Sequence, residues 1–109
     1  MNINPNIQNE VSAFIDLLSK HNNSVLKVIL FGSFAKKTQH KDSDIDIAVI
    51  ADRFPKNELD EMVDLRMLAL KVSDRIVPIP LTSSSMQNKY HPLIGEIKKY
   101  GQVVYSRDN

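Results

Sequence analysis

Two short apolar runs, joined through a Gly-Ser pair and a polar stretch, constrain this chain most. The first, Val25 to Phe31, is β-branched and apolar and runs straight into Gly32-Ser33. The second, Asp44 to Ile50, opens with carboxylates at 44 and 46 and is otherwise apolar. The first reads as a buried central strand and the second as a strand that begins with two carboxylates. Gly32-Ser33 reads as a tight turn into a short helix over Phe34–Lys37, and Thr38–Asp42 as a polar loop. Side chains on a strand alternate faces, so Asp44 and Asp46 are expected to point the same way. Two anions held side by side repel unless a cation lies between them, and hard oxygen donors of this kind suit Mg²⁺ or Mn²⁺. The turn at Gly32-Ser33 can offer backbone N–H groups and a hydroxyl to a phosphate, helped by the positive end of the helix that follows. A metal holder beside a phosphate holder outlines a nucleotide site.

Each half of this site has an ordinary reading too. A lone Asp-x-Asp is commonly a solvated or capping pair, and a lone Gly-Ser a turn with an N-cap. Together, each half supplies the context that the other requires. Lys36 or Lys37 is placed to neutralise a leaving pyrophosphate, although lysines after a turn are commonly just solvated. His40 reads as a surface histidine, His91 as a turn residue before Pro92, Ser83-Ser84-Ser85 as a mobile loop, and Met62 and Met67 as core filler.

The remaining pattern alternates helix and strand. Asn4-Pro5 is a plausible helix start, and Ile7, Val11, Phe14, Ile15 and Leu18 recur on one helical face. Asp52 to Pro55 turns into the longest helix, about Lys56 to Val72, with Leu59, Met62, Leu65, Leu68, Ala69 and Val72 as its buried stripe. Arg75 to Leu81 is a strand whose Pro78 and Pro80 remove donors, which makes it an edge or irregular strand. Pro92 to Tyr100 is a closing helix with Leu93, Ile94 and Ile97 inward, stopped by Gly101. Gln102 to Tyr105 is a candidate fourth strand. The pattern alone implies a sheet covered by helices and leaves the strand order open.

Gly32-Ser33, ten intervening residues and Asp44-x-Asp46 on an apolar strand resemble the signature of the DNA polymerase β-like nucleotidyltransferases in their small, minimal form. The segments Arg75–Pro80 and Pro92–Gly101 are also similar to later parts of that family. The resemblance implies an α+β nucleotidyltransferase-like fold, a small mixed β-sheet flanked by helices, with the first two strands adjacent and antiparallel. It implies Asp44 and Asp46 as catalytic and metal-holding residues, Gly32, Ser33 and Lys36 as nucleotide-binding residues, Mg²⁺ or Mn²⁺ as cofactor, and ATP or another NTP as substrate. It further implies AMP transfer to a hydroxyl, commonly a tyrosine on a small helical protein partner, as the antitoxin half of a toxin–antitoxin pair.

Two positions depart from the family pattern. Lys37 stands where members often carry Gly, and Val77 aligns with a third carboxylate that completes the metal site and helps to activate the acceptor. Valine can neither bind a metal nor accept a proton. Asp74 lies three residues earlier, on the opposite face by strict alternation and about 10 Å away along an extended strand. Asp42 shares parity with the pair but sits in the loop. The alternative reading is therefore a catalytically degenerate fold that acts as a nucleotide- or partner-binding module.

Composition narrows the rest. The 109 residues read as one domain over 1–109, with 42% hydrophobic and 25% charged residues, ordinary for a soluble chain. A net charge of +1 and no basic arm count against nucleic acid as a partner. With no cysteine there are no disulfides or thiolate metal sites, which fits a cytoplasmic location. No apolar run approaches membrane-spanning length, so no membrane association is expected. Oligomeric state is open, with a homo-oligomer among the arrangements the sequence allows.

Overall fold

The structure, a computed structural model, describes residues 5–21, 24–32 and 43–107. The expected short helix over 34–37 and the loop over 38–42 lie outside the described residues, as do Asn4, Ser33, Lys36, Lys37, His40 and Asp42. Helix α1 (Pro5–His21) leads into strand β1 (Val25–Phe31), and strand β2 (Ile45–Ala51) into helix α2 (Glu58–Ala69). Strand β3 (Ile76–Thr82), a 3-10 turn (Ser85–Gln87), helix α3 (Ile94–Tyr100) and strand β4 (Gln102–Ser106) complete the order. The four strands form one mixed sheet in the order β3-β2-β1-β4. β1 is antiparallel to β2 and to β4, whereas β2 and β3 run parallel.

Strand alternation sorts the core into two layers. Val28 and Leu30 of β1 and Ile45, Ile47 and Val49 of β2 join Val11, Phe14 and Leu18 of α1 and Leu65, Leu68 and Ala69 of α2. Ile29, Phe31, Ala48 and Ile50 face the other way, against Ile94 and Ile97 of α3 and Leu81 of β3. Helices thus cover both faces, which explains why β1 and β2 carry almost unbroken apolar runs. Pro78 and Pro80 do sit on an edge strand, which among the described residues pairs only with β2. Residues two apart direct their backbone groups to the same side, so both missing donors fall on the open edge, where they discourage a further strand.

Several local expectations are corrected. α2 starts at Glu58, later than Lys56, because the Asn57 side chain caps it by accepting from Asp60 N–H at 2.9 Å. It ends at Ala69, short of Val72. Leu59 does not belong to the buried stripe, being 69% exposed. Glu61 is buried instead, and its Oε1 accepts from Lys56 N–H at 3.0 Å, so the carboxylate closes the turn ahead of the helix. Met67 is exposed rather than core. Gly101 ends α3, but with φ of −62° it is not in the left-handed region; a methyl there would overlap Ile97 O and press on Ile29 Cγ2 at 2.6 Å. Close approach of α3 to β1 makes glycine necessary there. The serine loop is held as well. Ser83 Oγ donates to Asp52 Oδ1 at 2.8 Å, and Thr82 and Ser85 hydroxyls pair at 2.9 Å. His91 is a turn residue, as expected, with Nδ1 accepting from Leu93 N–H at 3.2 Å.

Candidate functional site

The end of β1, the start of β2 and the start of β3 meet at one corner of the sheet. Phe31, Asp46 and Val77 lie across from one another in register on the three adjacent strands. Asp46 has the parity of Ala48 and Ile50, so its side chain belongs to the α3 face. Gly32 follows Phe31 with φ of +75°, a conformation that L side chains rarely adopt. A methyl group at Gly32 would also overlap Asp46 Oδ2. The glycine therefore serves both the turn and the room in which the Asp46 carboxylate sits.

Asp44 stands one residue ahead of β2, exposed to solvent, rather than within the strand. Its position is set from β3. Arg75 Nε and Nη2 both donate to Ser43 O at 3.3 Å, and Ile45 N–H donates to Arg75 O at 2.7 Å. Arg75 thus clamps the chain on both sides of Asp44. The sequence reads it as the first residue of a strand, which in the structure starts one residue later at Ile76; pairing of β2 with β3 brings the clamp about.

The carboxyl of Asp46 is pushed above its ordinary value, first by burial and then by the charges of Asp44 and Glu96. Asp44 is thus near enough for its charge to be felt at Asp46. Crowded, hard oxygen donors that resist sharing negative charge fit a divalent cation. Among the described residues no group of three or more acidic or histidine side chains is arranged to hold a metal. Glu96, on α3, is the acid that motif reading passed over. Only the packing of α3 against the sheet places its charge near Asp46. Asp74, by contrast, is exposed in the turn before β3, where its carbonyl accepts from Arg66 Nη2 at 3.0 Å. Ser33 and Lys36 lie outside the described residues, so of the expected nucleotide-binding residues Gly32 alone is seen, and it lies beside Asp46.

A family model for polymerase beta nucleotidyltransferases matches residues 14–109. The chain belongs to this nucleotidyltransferase family. It is 35% identical over 95 residues to MJ1305 of Methanocaldococcus jannaschii, assigned as a protein adenylyltransferase; the match covers 83% of this chain and 65% of that protein. The chain thus spans just under two thirds of that relative's length. A crystal structure from Sulfolobus solfataricus, assigned to a nucleotidyltransferase, superposes with a TM-score of 0.69 at 18% identity, over 94% of this chain and 82% of that one. A toxin–antitoxin structure with AMP-PNP matches with a TM-score of 0.61 at 25% identity, over 91% of this chain and 73% of that one. The mixed sheet and its flanking helices are the nucleotidyltransferase fold, as the resemblance implied, with β1 and β2 adjacent and antiparallel.

Proposed function

We propose that this nucleotidyltransferase-family chain transfers AMP from ATP to a hydroxyl on a partner protein. The observation that carries the reading is the Asp46 carboxylate, seated against Gly32, crowded by Asp44 and reached by the charge of Glu96. Asp44 and Asp46 would hold a divalent ion, which when bound would neutralise triphosphate charge and polarise the phosphoryl group. Gly32 admits the phosphate tail to the backbone, and Ser33 and Lys36 bind it. In the reaction the acceptor oxygen forms a bond to the α-phosphorus. The bond from that phosphorus to the oxygen bridging to the β-phosphate breaks, pyrophosphate leaves with that electron pair, and the hydroxyl proton passes to a base.

The acceptor belongs to a small helical protein, the toxin half of a toxin–antitoxin pair. Family membership, the relative assigned as a protein adenylyltransferase and the toxin–antitoxin fold neighbour support this choice. Incubation with labelled ATP, Mg²⁺ and the protein encoded by the adjacent gene tests it. Label transfer that disappears in Asp44→Asn/Asp46→Asn is expected. Tight association without label would leave the second reading, a binding module, which Val77 beside Asp46 favours because it cannot share the metal or accept a proton.

A further inference from the structure

Asp44 and Asp46 are held by different means. Asp46 lies inside the sheet, level with Phe31 of β1 and Val77 of β3. Among the described residues the β1 ladder ends at that pair, and the β3 ladder reaches one residue further, to Ile45 beside Ile76. Asp44 lies beyond both ladders, exposed to solvent. The backbone on either side of it is anchored to a single residue. Ser43 O, in the peptide plane before Asp44, accepts from Nε and Nη2 of the half-buried Arg75, each at 3.3 Å. Ile45 N–H, in the plane after it, donates to Arg75 O at 2.7 Å. Peptide units are planar, so only φ and ψ of Asp44 separate the two anchored planes. Pinning both planes sets those two angles, and with them the direction of the Asp44 Cα–Cβ bond.

The anchoring matters because the pair works against it. The charge of Asp44 is felt at Asp46, so without a cation the two carboxylates gain by separating. Asp46 has little freedom, with Gly32 against its carboxylate and a strand on each side. Asp44, at the exposed end, is the one that can swing away. A divalent ion shared by both needs their oxygens within about 0.5 Å of the working geometry. Arg66 offers a comparison. It too grips the start of β3, donating from α2 to Asp74 O at 3.0 Å and to Ile76 O, but those acceptors are on β3 and not on the Ser43–Ile45 segment.

We propose that Arg75 is a positioning residue, which fixes Asp44 for metal binding with Asp46 by pinning the peptide planes on both sides of it. This role rests on the nucleotide site proposed above. The melting temperature of the full chain, followed against Mg²⁺ at saturating ATP, tests it. Two effects of Arg75→Gln have opposite signs. Losing a positive charge near a cation site lowers the Mg²⁺ needed for half of the stabilisation, whereas losing the position of Asp44 raises it. A rise of about tenfold is expected, the size usual when a group that orients a metal ligand is removed. Arg75→Lys keeps the charge, replaces the two-donor fork by one ammonium, and should raise the requirement about threefold; it carries the test if the glutamine variant does not fold. Arg66→Gln should lower the metal-free melting temperature and leave the Mg²⁺ requirement unchanged. A parent chain that ATP with Mg²⁺ fails to stabilise removes the nucleotide site itself, and this role with it. With the parent stabilised, an unchanged or lower requirement in the Arg75 variants overturns the role of Arg75 alone. So does an equal rise in Arg66→Gln, which would trace the loss to a loosened β3.

Discussion

At the scale of single residues, the site depends on how few atoms Gly32 and Asp46 leave between them. Gly32→Ala combines a left-handed backbone with overlap on Asp46 Oδ2, and should destabilise the protein by about 1–3 kcal/mol, read from urea unfolding. Asp46 yields a prediction of opposite sign. Its folded-state pKa is raised from 3.8 by burial, Asp44 and Glu96, in that order. The folded protein therefore holds this proton more tightly than the unfolded chain does. Its contribution to stability is largest with the group protonated, declines as pH rises from 3.8 through the folded value, and remains a penalty above it. Asp46→Asn should raise the melting temperature of the metal-free protein at neutral pH, with the gain vanishing below pH 3.8, as calorimetry across pH will show. The same substitution should abolish the stabilisation that ATP with Mg²⁺ confers on the parent, about 2.7 kcal/mol at a hundredfold excess over Kd.

Elements explain why the expected acid at position 77 is missed so directly. Parallel pairing puts Val77 level with Asp46, so Val77→Glu adds a carboxylate to the existing pair. Transfer activity should rise. An unchanged rate in a folded variant would mean that this register does not bring position 77 into the reaction. α2 shows how a cap outranks periodicity at a helix start. Apolar spacing extends the helix back to Lys56, but Asn57 satisfies the Asp60 N–H and begins the helix at Glu58. Asn57→Ala should cost about 1 kcal/mol in chemical denaturation.

For the whole molecule, the two faces of the sheet divide the work. α1 and α2 build the larger core on one face. α3 packs on the other and carries Glu96 toward Asp46. Asp46 and the exposed face of α2 therefore lie on opposite layers. No helix among the described residues is long and apolar enough to cross a membrane.

The strands and the faces of α1 were legible in the sequence, because each is a local pattern: an apolar run or a helical period. The edge position of β3 was nearly so, since two prolines leave few alternatives. The rest needed chain segments far apart in sequence to meet. Arg75 becomes a clamp only when β3 lies beside β2, and Glu96 joins Asp46 only when α3 covers that face. Leu59 reads as core by period yet points outward, because α2 had two apolar stripes and sequence cannot say which one the sheet takes. Local periodicity decides what each segment becomes; which surfaces and charges end up neighbours is set by how the layers stack.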